Sequence, residues 1–325
     1  MTRVALVLTV LDEAVTLPDL LASIDAQTRA PDEVVVVDGG STDGTAELLE
    51  GWAARDPRRR VLVVPGASIS AGRNTAVRAT STGSDDVVAV TDGGCRLEPD
   101  WLEHLARPFD DPATGMAMGF YRPDARSTFE VLVSCLNLPD ASEVDPGAFL
   151  PSARSVAYRR EVFDAVGGYP EDLAIGEDMW FDLQVVERGV QRVFVPEAVV
   201  HWRLRADGRA FLRQYYRYAR GDGIAGMHPR RHAARFGTYG LLAGALLAGR
   251  PRLALVPAAG LAWWLRPALP RARRRLGRRW PVAVAAVPAL TVAMEAAKMA
   301  GYLAGTARRL QGEGPRHRDA SPRRS

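Results

Sequence analysis

Cysteine is scarce in this sequence, with Cys95 and Cys135 the only two. They give no disulfide framework and no metal-ligand spacing, so a reducing compartment is the simpler expectation. No internal repeat is present, which excludes a solenoid or propeller. No signal peptide is expected, because the apolar run Val4 to Leu11 is short and meets Asp12 and Glu13. The many long spans of a multi-helix channel are lacking too. What is there is ordinary globular composition. The chain has 325 residues, 47% hydrophobic and 25% charged, enough for one large or two smaller domains.

The net charge of +4 is unevenly spread: residues from Arg266 onward carry 14 Lys+Arg against 3 Asp+Glu, leaving residues 1–265 at −7. A basic end on an acidic body suggests an anionic surface as partner. The basic stretch lies among apolar runs, which points to a membrane rather than to nucleic acid.

In chain order, Arg3 to Val10, Glu33 to Val37, Arg60 to Val64 and Asp86 to Val90 read as buried strands. Helical stretches follow them: Asp12 to Gln27, a helix through Trp52, a short one through Thr80, and one beginning at Pro99. This alternation predicts a mostly parallel α/β sheet flanked by helices. In such sheets the ligand crevice lies beyond the carboxyl ends of the strands, and Asp38, Arg73 and Asp92 all fall there. Each alone reads equally as a turn residue, a cap or a surface ion-pair partner. Their convergence is what argues for a site.

Between Phe109 and Arg160 the alternation weakens. Met116 to Tyr121 and Ser155 to Tyr158 look like short strands, and the Pro-rich stretch between them reads as loop that shapes an acceptor pocket. The turn Gly167-Gly168-Tyr169-Pro170 then leads to Gly176-Glu177-Asp178-Met179-Trp180 and a helix from Trp180 to Arg188. A carboxylate on such a loop can take a proton from a bound hydroxyl, or can simply cap the helix. Arg192 to Pro196 is a further strand, followed by His201-Trp202. Phe211 to Arg220 reads as an aromatic, amphipathic helix with Phe211, Tyr215 and Tyr218 on one side. From Gly237 to Leu265 and from Trp280 to Ala307 the chain is apolar, with seven Arg between Arg266 and Arg279. Neither half of the first apolar stretch reaches the roughly 20 residues of a simple span. The second stretch does, with Glu295 and Lys298 spaced to pair on one helical face.

Five of these motifs, in this order, resemble the inverting family 2 nucleotide-sugar glycosyltransferases of GT-A fold. They are Thr9-Val10-Leu11-Asp12-Glu13-Ala14, with Asp12 where Asn is usual; Val36 to Thr45, centred on Asp38-Gly39-Gly40-Ser41; Ala71-Gly72-Arg73-Asn74; Thr91-Asp92-Gly93-Gly94; and Arg159 to Glu171 leading to Glu177-Asp178. The resemblance covers roughly residues 2–222. It implies a GT-A-like (Rossmann-like) catalytic domain over 1–222, a membrane-associated helical region over 223–307 and a basic disordered tail over 308–325.

By the same resemblance, Thr9, Leu11, Glu13, Asp38, Gly40, Ser41, Arg73, Asp92 and Arg217 bind the nucleoside-diphosphate-sugar donor. Glu13 and Asp38 are on base and ribose, and Arg73 faces the diphosphate. Asp178 is implied as the general base and Glu177 as its neighbour in the catalytic pair. A divalent cation, Mg²⁺ or Mn²⁺, is implied at Asp92. Gly94 replaces the second carboxylate of the Asp-x-Asp position; His201, downstream of the base, is a candidate further metal ligand through its neutral imidazole, or else a structural histidine. Gln214-Tyr215-Tyr216-Arg217-Tyr218 resembles the Gln-x-x-Arg-Trp motif of processive synthases, but the missing spans favour single-sugar transfer. The implied partners are a sugar or lipid-linked acceptor and a membrane, with the catalytic domain facing the cytoplasm. A sugar nucleotidyltransferase is the alternative, disfavoured because the first loop is acidic and unsuited to a triphosphate. A non-catalytic nucleotide-sugar binder is the other.

Overall fold

The computed structural model describes residues 2–312. Eight strands form one sheet: β1 (Val4–Val10), β2 (Glu33–Asp38), β3 (Arg59–Val63), β4 (Val87–Val90), β5 (Cys95–Leu97), β6 (Met116–Asp124), β7 (Val156–Arg159) and β8 (Arg192–Arg203). Among the described residues the α-helices are α1 (Leu17–Asp25), α2 (Thr45–Ala53), α3 (Ile69–Ala79), α4 (Trp101–Ala106), α5 (Thr128–Asn137), α6 (Arg160–Val166), α7 (Glu177–Glu187), α8 (Gly208–Ala225), α9 (Pro229–Leu247), α10 (Leu255–Leu265), α11 (Ala268–Leu276) and α12 (Val282–Leu310).

Contacts divide the chain into two compact units. The first holds the residues up to Asp124 together with Asp140–Arg203, and the second holds Ala125–Pro139 and the chain from Leu204 onward. This boundary at Arg203 precedes the expected one at Asp222, because α8 runs unbroken through Asp222 and packs on α12.

In the first unit the sheet order is β3-β2-β1-β4-β7-β6-β8-β5. The four strands legible as continuous apolar runs, β1 to β4, pair parallel. β1, β2 and β4 are buried on both faces, as a parallel sheet under helices requires, whereas β3 is a partly exposed edge strand. Leu6 and Leu8 pack with Leu17, Leu20 and Trp52 on one side. Val7, Val35 and Val37 pack with Ala76, Val77 and Tyr158 on the other. Each fully buried side chain of this size is worth about 1.5–3 kcal/mol. The remaining strands make the sheet mixed: β4–β7, β6–β7 and β5–β8 are antiparallel, and β6–β8 is parallel.

Three departures from expectation have local causes. The first helix begins at Leu17 rather than Asp12, because Asp12 sits at φ 53° and turns the chain before it can coil. A left-handed backbone is most easily borne by Asn or Asp, which is why Asp can stand where the resembling family has Asn. Strand β8 continues past Pro196 to Arg203. Its register against β6 jumps between Met118 and Phe120, so the residue without an N–H falls in a bulge. Residues 128–137, expected as loop, form α5, which starts at Ser127 with its hydroxyl accepting from the Glu130 N–H at 3.2 Å.

In the second unit, α8 and α12 pack closely enough that a Cβ on Gly301 would lie 2.2 Å from the Tyr216 carbonyl oxygen. The expected aromatic side of α8 is present, with Phe211–Tyr215 and Tyr215–Tyr218 ring centroids 4.9 and 5.8 Å apart. Lys298 and Glu295 pair at 2.9 Å, as their spacing predicts, and Arg235 joins Glu295. The tail expected from Arg308 instead continues α12 as far as Leu310. Its part from residue 313 lies outside the described residues.

Candidate active site

The site forms where β1, β2 and β4 end. The first two loops are laced together by short polar side chains. Ser41 Oγ donates to Asp38 Oδ1 at 2.5 Å and accepts from the Asp12 N–H at 2.9 Å. The Thr42 N–H donates to Asp12 Oδ1 at 2.8 Å, and the Glu13 N–H donates to Thr45 Oγ1 at 2.9 Å. Asp38 is fully buried, and its carboxylate also receives the Ser41 N–H. Its immediate work is therefore to shape the Gly40-Ser41 turn. Leu11 is exposed at the rim. Glu13 is half-buried and takes a hydrogen bond from the Thr16 hydroxyl.

Thr9 lies under α3. A Cβ on Gly72 would sit 2.3 Å from Thr9 Oγ1, so only glycine lets this helix approach the strand. That approach delivers Arg73 and Asn74. The Asn74 amide donates to the Tyr169 carbonyl at 2.9 Å and accepts the Tyr169 N–H at 2.8 Å. This pair of bonds pins the Gly167-Gly168-Tyr169 turn ahead of α7. The sequence presented Asn74 only as part of a motif, and the docking role needed the fold to be seen.

Arg73 is the hub. It is 2% exposed, and it donates from Nη1 to Glu177 Oε1 at 2.6 Å and from Nη2 to Asp92 Oδ1 at 2.7 Å. Its guanidinium also lies over the Tyr169 ring, 5.3 Å from the centroid. Each terminal nitrogen of Arg73, expected to face the diphosphate, thus holds a carboxylate in this structure. The two carboxylates respond in opposite directions. Burial pushes Asp92 up, but Arg73 and Arg154 outweigh it and hold the group below its ordinary value. Burial also pushes Glu177 up, and there it prevails, aided by the adjacent Asp178 charge against Arg73.

Glu177 and Asp178 are the first two residues of α7, behind Gly176, so neither is the N-cap. Asp178 Oδ1 accepts the Met179 N–H at 2.8 Å, and Oδ2 faces Ser152 Oγ at 3.4 Å. One turn further on, Asp182 is buried and held well above the usual carboxylate range by desolvation and by Asp178.

The structure thus brings Arg73, Asp92, Glu177 and Asp178 together. It does not bring His201 to them. His201 Nε2 pairs with Glu98 Oε1 at 2.5 Å, whereas its neighbour Trp202 meets Arg154. Successive strand residues point to opposite faces, so the two cannot serve one cluster. No group of three or more His, Cys, Asp or Glu able to hold a metal occurs among the described residues. Arg217 is an exposed residue of α8 in the second unit. Burial pushes the Cys95 thiol up to about 12, which leaves it inert near neutrality. Ser152 and Arg154 belong to no motif, and the sequence offered no signal for them beyond their place in the irregular stretch before β7.

An open α/β sheet with acidic residues and a buried guanidinium gathered at its strand ends defines the GT-A class of glycosyltransferase folds. The chain belongs to glycosyl transferase family 2, whose profile matches residues 5–167. A second profile, glycosyl transferase family group 2, matches residues 87–294. Similar curated proteins include the O-antigen chain rhamnosyltransferase RfbN of Salmonella typhimurium, 26% identical over 212 residues, which are 61% of this chain and 66% of that one. The succinoglycan biosynthesis protein ExoA of Rhizobium meliloti is 29% identical over 197 residues, 58% of this chain and 59% of that one. The chain thus spans less than two thirds of the length of these relatives. Among solved structures, the mannosyltransferase PcManGT of Pyrobaculum calidifontis, in complex with GDP-Man and Mn²⁺, matches with a TM-score of 0.55 at 21% identity over 96% of this chain and 88% of that one. GalNAc-T7 with UDP, GalNAc and Mn²⁺ matches with a TM-score of 0.51 at 16% identity over 69% and 48%.

Proposed function

We propose that this chain transfers a sugar from a nucleoside-diphosphate sugar to an acceptor hydroxyl with inversion, Asp178 acting as general base. The observation that supports the proposal is the Asp92–Arg73–Glu177 bridge, which ties the end of β4 to the start of α7, where Asp178 follows Glu177. In the reaction the acceptor hydroxyl gives its proton to Asp178, and its oxygen attacks the anomeric carbon. The bond from that carbon to the diphosphate oxygen breaks, and the nucleoside diphosphate leaves. Attack from the face opposite the leaving group inverts the carbon. The loops at Leu11 to Glu13 and Asp38 to Ser41 are the proposed seat of base and ribose.

A divalent cation fits the residues present in a limited way. Asp92 keeps 28% of its side chain exposed, and a Cβ on Gly94 would meet nothing within 4 Å, so there is room beside a single carboxylate. Mg²⁺ is commonly held by one or two carboxylates with substrate phosphates and water. Asp92 would hold the cation, without His201. When bound, such a cation neutralises the leaving diphosphate. The test is transfer or hydrolysis of labelled nucleotide sugars by the purified full chain, with product stereochemistry followed by NMR. Inverted product that falls away on chelation is expected. Retained configuration would refute Asp178 as a direct base, and full activity in excess chelator would remove the cation from Asp92.

We also propose that the second unit attaches the enzyme to a membrane with its catalytic unit facing the cytoplasm, near a lipid-linked acceptor. Helix α12 is long and apolar enough to cross a bilayer, and only 28% of its most apolar stretch is buried. Trp263 and Trp264 on α10 are exposed, as expected of interfacial anchors. Part of the basic cluster is spent internally, since Arg271 donates to the Cys135 carbonyl at 3.0 Å and Arg275 to that of Ser134 at 2.8 Å. Cell fractionation is expected to leave the full chain in the membrane pellet after a high-salt wash. Recovery in the high-speed supernatant without detergent would refute attachment, and release by salt alone would reduce it to electrostatic binding.

A further inference from the structure

The stretch between α5 and β7 carries no motif, yet it places a second guanidinium in the acidic corner. Arg154 Nη1 donates to Ser152 Oγ at 2.7 Å. Ser152 Oγ in turn donates to Asp178 Oδ2 at 3.4 Å. On its other side, Arg154 Nε faces Asp92 Oδ2 at 3.8 Å. The guanidinium carbon lies over Trp202, 4.1 Å from the ring centroid. One cation therefore touches the carboxylate at the end of β4 and reaches the carboxylate at the start of α7 through a single hydroxyl.

We propose that Arg154 and Ser152 form a positioning relay for Asp178, a role that rests on the reading of Asp178 as the general base. A hydroxyl has one proton to give. With an Arg154 N–H directed at its lone pair, Ser152 must turn that proton toward Asp178. The Met179 N–H already holds Oδ1. The Ser152 bond fixes Oδ2, so the plane of the carboxylate is set and a lone pair stays open toward the acceptor hydroxyl. A hydroxyl polarised by a cation is also a stronger donor. The other charges acting on this corner are Glu177 and Asp182 on α7 and Arg73 from α3, with Arg192 facing Asp182. Arg154 is the cation that meets Asp178 through a hydroxyl, whereas Arg73 is committed to Glu177 and Asp92.

The relay separates two effects that a merely structural role would not separate. Ser152→Ala removes the donor to Asp178 and leaves Arg154 beside Asp92. It is expected to lower kcat about tenfold or more with little change in donor KM, and to displace the acidic limb of the kcat–pH profile upward. Ser152→Thr keeps the hydroxyl and is expected to restore both. Arg154→Gln removes the cation from both carboxylates, so it is expected to lower kcat and raise donor KM together. Thermal midpoints of the three full-length variants, measured alongside, identify any that fail to fold, and Ser152→Thr then serves as the matched control. The proposal is overturned if Ser152→Ala and Arg154→Gln keep the wild-type pH limb and kcat, or if Ser152→Thr behaves like Ser152→Ala. Should Asp178→Asn itself retain transfer, the general-base reading fails instead. An inactive Asp178→Asn beside an unaltered Ser152→Ala would sink the relay alone.

Discussion

Asp178→Asn is expected to abolish sugar transfer while leaving donor affinity nearly unchanged. The amide has the shape of the carboxylate and its oxygen can still accept the Met179 N–H that Asp178 receives at 2.8 Å. It cannot take a proton from an acceptor hydroxyl. Loss of a general base typically costs about 10² to 10⁴ in rate. The proposed donor seat, formed by the loops at the ends of β1 and β2 with Asp92, is untouched by the substitution. Turnover and donor affinity measured side by side decide the matter. Near-normal turnover would reduce Asp178 to a first-turn residue whose charge merely suits the positive end of α7.

Arg73→Ala is expected to have the largest effect on stability. Arg73 is 2% exposed and bonds both Glu177 and Asp92, so its removal strands two carboxylates, one of them buried. Breaking a buried pair from one side costs about 3–5 kcal/mol. Arg73→Lys should fall between, because a single ammonium cannot span two carboxylates as a planar fork does.

The pH dependence of this loss has a definite sign. Glu177 is raised in the folded chain, by burial first, so its contribution to stability is present below its unfolded value and is lost as pH rises through the folded one. Without Arg73 it is raised further and is more readily accommodated protonated. Asp92 is lowered in the folded chain, so it stabilises above its unfolded value, and that contribution is lost as pH falls through the folded one. Removing Arg73 removes most of it. The gap between wild type and Arg73→Ala should therefore be widest near neutrality and narrow as the pH is lowered toward the carboxylate range. Urea unfolding at pH 7 and at a pH below the ordinary Asp value of 3.8 reads this directly. A gap that stays constant between the two would show that the bridge does not act through charge.

The chain itself determined the half of the molecule that rests on burial. Three apolar runs buried on both faces, an edge strand beside them, and helices with apolar stripes between them permit little besides a parallel sheet. The loops that end those strands then carry Asp38, Arg73 and Asp92 to one edge. The Glu295–Lys298 pair and the aromatic side of α8 were legible for the same reason, since helical spacing fixes which residues meet. Tertiary structure decided what depends on a distant partner. Strand β5 is three residues long and exists because β8 pairs with it. Strand β8 outlasts Pro196 because a bulge against β6 absorbs the missing donor. Arg73 is a buried clamp because Glu177, 104 positions along the chain, stands 2.6 Å from it. The grouping of Ser152 and Arg154 with Asp92, Asp178 and Trp202 follows no local pattern. Hydrogen bonds and ion pairs of that kind act at about 3 Å in space and leave no periodicity in the sequence.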